Sequence, residues 1–424
     1  MKKPMAALIL WLSAAMVLSS CSSDSLEVVR SAEDASLLSG SSWEQVVDEA
    51  KGQQVNWYLW GGSDVINSYV DQTVGRVLKD EYGVTLKRIP VNDTAEAVNK
   101  VLNEKQAGRH EEGSVDLIWI NGENFNTLKQ AEALFGPFAE ILPNAQYVDY
   151  SNPAIQKDFG NDTEGMESVW GSAQFQFVYN ASTVDPDELP RSYEELKVWI
   201  QNNPGRFTYN APPDFIGTRF VKQLFYELSG GYEQWEKPLD QAEFKKAVEP
   251  VWSYLNEIKP HLWRGGETYP KSIAELQTLF NNNEVDFTFV QDLGGIQAEI
   301  NKGRMPETAR PYVFRTGTIG DYHYVAIPYN AKHKAAAMVT ANLLLEPEMQ
   351  FKKMGTQEGW GDGLGIHPAK LEGEAASQYK QIQSDAGETA VPAEVLLKHK
   401  LPDLSPAYNQ ALEEGWRKYV LFQK

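Results

Sequence analysis

Between residues 55 and 120 the chain alternates short apolar runs with stretches whose apolar positions recur every three or four residues. Val55-Asn56-Trp57-Tyr58-Leu59-Trp60 is rich in aromatic and apolar residues and stops at Gly61-Gly62, which predicts a strand. Residues 84–91 (VTLKRIPV) predict a second strand. Asp93 or Thr94 then caps a helix with Ala97, Val98, Val101 and Leu102 on one face. Residues 115–120 (VDLIWI) predict a third strand, closing at Asn121-Gly122. A strand, helix, strand order of this kind implies a mainly parallel sheet flanked by helices.

The same pattern restarts beyond residue 190. Ser192 with Glu195, and Ser272 with Glu275, have the spacing of capping boxes. Leu196, Trp199 and Ile200 follow the first, and Ile273, Leu276, Leu279 and Phe280 the second. Phe207-Thr208-Tyr209 predicts a short strand and residues 215–228 a helix. Residues 285–290 (VDFTFV) predict a buried strand ending at Gln291-Asp292. Two α/β units in a chain of 424 residues predict two lobes. Residues 170–180 (WGSAQFQFVYN) and 318–330 (TIGDYHYVAIPYN) are extended and aromatic, and are predicted to cross between the lobes as hinge strands.

The N-terminus adds a compartment. Lys2 and Lys3 precede an apolar stretch over residues 5–18, short for a membrane span, and Leu18-Ser19-Ser20-Cys21 has the form of a lipobox. Residues 1–20 are therefore predicted to be a lipoprotein signal peptide. Residues 21–42 become a small, polar tether on a lipidated Cys21, placing the protein in the periplasm or at the cell surface. Cys21 is the only cysteine, so no disulfide within the chain is available. Loss of residues 1–20 removes two lysines and no acid, which takes the net charge from −19 to −21. Such a balance excludes a nucleic-acid partner, whose phosphates require clustered Lys and Arg.

Catalytic signatures are missing. There is no G-x-S-x-G, no H-E-x-x-H and no P-loop. The glycine-rich stretch at 359–365 does not satisfy G-x-G-x-x-G and follows a predicted helix. The six histidines show no metal-ligand spacing. The reading is thus a non-enzyme without cofactor or metal. The alternative is a secreted carbohydrate-active enzyme or a carbohydrate-binding lipoprotein, because 58 carboxylates always supply some dyad-like pair.

Six runs carry a resemblance: WYLWGGSDVINSYV, GSVDLIWINGENFNTLKQA, WGSAQFQFVYN, APPDFIGTRF, HLWRGGETYP and VAIPYNAKHKAAAMVTANLLLEPEMQ. In this order, behind a lipobox, they resemble the type II periplasmic solute-binding proteins of ABC importers, most of all the YnjB-type group. The resemblance covers residue 43 to the C-terminus. It implies a two-lobed fold in which each lobe is a mainly parallel sheet flanked by helices, with crossover strands joining them. Lobe 1 is expected over 43–172 with 322–365, and lobe 2 over 173–321 with 366–424. A ligand between the lobes, delivery to an ABC permease and a monomeric state follow as implications. Iron binders of this kind supply an adjacent Tyr pair, and this chain has none.

Ligands of open parallel sheets lie beyond the carboxyl ends of strands. That rule selects Trp60, Gly61, Gly62 and Ser63, with a stacking ring and free backbone; their plainer reading is a tight turn. It selects Asn121, Gly122, Glu123 and Asn124, whose amides and carboxylate suit polar groups and a cation, or else cap a helix. In the other half it selects Asp214, Phe215, Gly217 and Thr218 at a helix start, where either sign of charge is served. Trp170 at the first crossing and Asp292 after the late strand complete the set, with Tyr322 and His323 weaker. Aromatic loops among acidic residues favour an organic cation, such as a thiamine-like compound or a polyamine, with a carbohydrate next and an anion third.

Overall fold

The computed structural model describes residue 34 and residues 36–291, 295–301, 303–355 and 359–422. Cys21, the predicted signal peptide and Asp292 lie outside the described residues. Parallel pairing begins the larger sheet. Strand β1 (Gln54–Trp60) runs beside β2 (Thr85–Val91), in register from Gln54↔Thr85 to Trp60↔Val91, and beside β3 (Leu117–Ile120) on its other edge. Helix α1 (Thr94–Gln106) makes the crossover, and Asp93 caps it in a full capping box with Glu96. The predicted strands are thus present, with ends shifted by one or two residues.

Two long strands then leave this sheet. β4 (Glu167–Gln174) is buried along its whole length, and β5 (Gln176–Asn180) continues from it after Phe175 alone. β5 is the middle strand of a second sheet, with β6 (Phe287–Val290) and β7 (Ala309–Tyr312) antiparallel on either side. The return is β8 (Thr318–Ala326), antiparallel both to β3 and to β4. Its first two residues also pair with β9 (Lys400–Leu401). The handover is fixed by backbone bonds: Gln174 N–H donates to the Gln291 carbonyl (3.1 Å) and Phe175 N–H to that of Ile319 (2.8 Å). Phe207–Tyr209 joins no strand ladder. Its backbone bonds serve loops instead, the Phe207 carbonyl accepting from Trp263 N–H.

Among the described residues two large hydrophobic cores result, with a small cluster of Val313, Val391 and Leu396 beside them. One gathers buried residues between Leu37 and Trp170 and again between Tyr322 and Ala393. The other gathers Phe175 to Ile319 and Leu404 to Val420. The chain therefore passes from one core to the other three times, at 171–174, at 320–321 and between Ala393 and Leu404. Ile366, Leu371, Tyr379 and Ala393 pack in the first core. Among the described residues no helix is long and apolar enough to cross a membrane.

Candidate ligand-binding cleft

On the first lobe, β1 ends in Trp60, which is 43% exposed although the strand's alternate residues Val55, Trp57 and Leu59 are fully buried. Its ring lies directly against Gly62. Ser63 caps the following helix by accepting from Ile66 N–H (3.4 Å), and Asn67 donates to the Gly61 carbonyl (2.9 Å). The loop after β3 leads into helix α2 (Glu123–Gln130). Gly122 precedes it at φ 61°, in the left-handed region that glycine alone enters without strain. Its N–H, one of the helix's free donors, is taken by the buried carboxyl of Asp158. Glu123 is exposed, and Asn121 and Asn124 are partly so.

On the second lobe, Asp214 accepts from the N–H groups of Ile216 and Gly217, both at 3.1 Å, and so caps helix α3 (Phe215–Leu228). Gly217 is required by contact: a Cβ there would stand 2.2 Å from the Asn210 carbonyl oxygen. Phe215 is 51% exposed. One turn on, the Arg219 guanidinium lies 4.3 Å from the centre of the Phe215 ring. Arg219 is buried and bonds to Gln291 (2.5 Å), Asp321 (2.5 Å) and Asp403 (3.3 Å), while its Nε has no partner. Thr218 is buried and donates to Glu413 (2.8 Å).

β8 forms the floor between these loops. Of its nine residues only Asp321 and His323 are not fully buried, and, two apart, they share one face. Asp321 reaches across to Arg219 of α3. His323 Nε2 lies 3.0 Å from Asp362, whose other oxygen accepts from Lys353 (2.7 Å). Beneath sits Trp170. The register between β4 and β8 slips where Gly171 faces His323 and Val169 faces Tyr324, so Trp170 is the extra residue of a bulge. Its ring is wholly buried, with edge contacts to Trp57 (5.4 Å), Trp119 (5.0 Å) and Trp360 (5.9 Å). Trp119 and Trp360 keep part of their surface, and Trp119 also meets His323 at 5.6 Å.

Charge in this region is mostly settled internally. Burial raises the Asp321 pKa, but the charges of Arg219 and His323 and the Arg219 hydrogen bond together outweigh it, and the carboxylate titrates below its ordinary value. Burial lowers that of His323, yet the charge and hydrogen bond of Asp362 reverse this, and the imidazole titrates above its ordinary value. Asp158 goes the other way. Its burial, only partly offset by the Gly122 N–H, pushes the carboxyl well up, and Asp321 and Asp403 add to this. The Glu167 carboxyl is likewise pushed well up, by burial first and then by the charge of Asp158.

The structure thus sets Trp60, Asn121, Glu123 and Phe215 at loop ends with exposed surface, and places Gly122, Gly217 and Thr218 within them. It puts Trp170 below the surface as support. Arg219, Asp321, Trp119 and Trp360 were not among the residues selected from sequence. A signal for one of them existed: Asp321 alternates with His323 in an otherwise apolar and aromatic run. Among the described residues no three His, Cys, Asp or Glu side chains are grouped as a metal site.

Comparison with known proteins gives a consistent answer. A family model described as bacterial extracellular solute-binding protein matches residues 76–363. The protein YnjB of Escherichia coli K12 is 39% identical over 377 residues, 89% of this chain and 93% of its own length. Among solved structures, the spermidine/putrescine ABC transporter substrate-binding protein PotD of Streptococcus pneumoniae superposes with a TM-score of 0.61. It shares 16% identity, over 87% of this chain and 99% of that one. A putative extracellular solute-binding protein of Bordetella parapertussis gives 0.60 at 15% identity, over 87% and 98%.

Proposed function

The chain belongs to the bacterial extracellular solute-binding proteins, and from that premise we propose that it captures an organic cation between its lobes for an ABC importer. The observation that carries the ligand class is the pairing of exposed aromatic rings with occupied helix starts. Trp60 at the end of β1 and Phe215 at the start of α3 are exposed on different lobes, whereas large apolar side chains elsewhere are mostly buried. A cationic head finds the Trp60 ring there, and Glu123, exposed at the start of α2, offers a carboxylate. An anion would seek the free N–H groups at the starts of α2 and α3. Those positions are already taken by Asp158 and Asp214. The polyamine named for the streptococcal neighbour fits the same chemistry.

Closure is the mechanism we infer. Ligand held by Trp60 and the 121–124 loop gains contacts with Phe215 and the α3 start only when the lobes approach, so binding shifts the population towards the closed form. The permease then reads that form. Cys21 tethers the protein to the membrane by its acyl chains. For the lobes, we retain 43–172 with 322–365 and 173–321 with 366–424 as the division, except that the packing of Ile366, Leu371, Tyr379 and Ala393 argues for moving the last boundary beyond Ala393. We read the cleft as a binder and not a catalyst, since its acids and bases are spent on one another.

A thermal-shift screen with thiamine, spermidine, putrescine, an oligosaccharide, and phosphate and carboxylate ligands tests this. A ligand present at about 100 times its Kd stabilises by about 2.7 kcal/mol. Stabilisation by a cation, with compaction in small-angle scattering, is expected. A response confined to the anions or the sugar would sink the ligand class, and turnover of a glycoside would sink the binding reading itself.

A further inference from the structure

A short hairpin of the first lobe reaches the second. Lys157–Asp158 and Asn161–Asp162 pair antiparallel, Lys157 with Asp162 and Asp158 with Asn161, and the turn between them is Phe159-Gly160. Its root is fixed to the first lobe. The Tyr324 hydroxyl on β8 donates to the carbonyls of Ala154 and Ile155, both at 3.3 Å, and Ile155 is part of the first core. The turn and Lys157 meet the other lobe. A Cβ on Gly160 would stand 3.9 Å from the backbone nitrogen of Ser405, and Lys157 Nζ lies 3.6 Å from a carboxylate oxygen of Glu236. Ser405 and Glu236 directly follow Leu404 and Trp235, both buried in the second core. The lobes thus touch through a piece of chain that belongs to none of the three crossings.

The same hairpin holds the loop after β3. Asp158 accepts the Gly122 N–H, and the Phe159 ring lies over Gly122, where a Cβ would stand 3.5 Å from it. φ is 46° at Phe159 and 81° at Gly160, the pair of positive values that a two-residue type I′ turn requires. Asn-Gly enters that geometry easily. A phenylalanine does so against strain, so its ring has to be kept in place by what it touches. One hairpin therefore grips the 121–124 loop and, within two residues of that grip, meets the opposite lobe.

We propose that this hairpin is a latch: the Lys157–Glu236 pair and the seating of Gly160 against Ser405 favour the closed lobes before any solute is bound. Through Gly122 the latch is joined to the loop that a solute meets. The proposal rests on the closure inferred above, but not on which solute is carried. With 32% of the Lys157 side chain and 26% of that of Glu236 exposed, salt weakens the pair, and pairs of this kind shift a two-state ratio by about 1.5-fold to fivefold.

Small-angle scattering of the full chain without solute reads the separation of the lobes. At low ionic strength Lys157→Glu and Glu236→Lys each bring like charges together, and each is expected to enlarge the radius of gyration. Exchanging both residues should restore it, which a fold merely damaged by either change would not allow. In the unaltered chain, raising sodium chloride from about 0.02 M to about 1 M should enlarge the radius in the same direction, an arm that requires no variant. An enlarged radius that the exchange does not restore would overturn the latch. So would radii unchanged by either reversal. In that event closure itself stands if spermidine still compacts the unaltered chain, and falls with the latch if nothing moves the radius.

Discussion

Glu167 opens the first crossing strand with both carboxyl oxygens out of solvent and without hydrogen-bond partners. Burial raises its pKa well above the ordinary value, Asp158 adds to the rise, and Lys129 opposes it weakly. In the unfolded chain the same group titrates near about 4.3. Between that value and the higher folded one, the native state binds more protons than the unfolded state. Its contribution is therefore fully present below the unfolded pKa and is lost as pH rises through the folded pKa. The loss has a ceiling of about 1.4 kcal/mol per pH unit for each proton so displaced. Glu167→Gln preserves shape and removes the titration. Urea unfolding of both proteins from about pH 5 to about pH 8, read by tryptophan fluorescence, should show the variant gaining on the wild type as pH rises, at up to that slope. Because Asp158 and Glu167 titrate as a pair, Asp158→Asn should flatten the same dependence. A stability difference independent of pH would refute the claim that folding raises the pKa of this carboxyl.

Three other outcomes are expected. Arg219→Met leaves Asp321 and Asp403 buried without their guanidinium and should lower unfolding free energy by about 3–5 kcal/mol, most of it recovered when Asp321→Asn is added. Trp170→Ala should cost about 3–5 kcal/mol, since the ring is wholly buried among three others, whereas Trp60→Ala should cost about 1 kcal/mol and act chiefly on ligand affinity. Equal stability losses in the two would remove Trp60 from the site. Gly217→Ala forces the α3 start away from Asn210 and should destabilise by about 1–3 kcal/mol, visible as a lower urea midpoint with an unchanged slope.

Elements governed by local chemistry were legible in the sequence. The cap at Asp93, the helix start at Phe215 and the apolar runs of β1, β3 and β6 depend on neighbours a few residues away, and they lie where the pattern predicts them. In both later boxes the Ser cap is present, but the Glu reaches one residue further back, to the N–H of Arg191 and of Lys271. Phe207–Tyr209 read as a strand because its residues suit one; its partners turned out to be loop segments distant in sequence. The charge network was not legible for the same reason. Arg219 meets Asp321 across 102 positions and Asp403 across 184, and no local spacing encodes such a meeting. Trp170 was visible as an aromatic at a crossing. That it points down and not into the cleft is decided by the bulge, which only pairing with β8 creates.

The three passages between the cores are not independent straps. β4 and β8 lie side by side as one hydrogen-bonded ribbon, and β9 is bonded to the same β8. Sliding one past its neighbour breaks a ladder, and twisting the halves about their long axis shears it. Flexing out of the ribbon's plane does neither. Such a joint works like the spine of a book: it leaves a single easy rotation and returns the two covers to the same alignment at every turn.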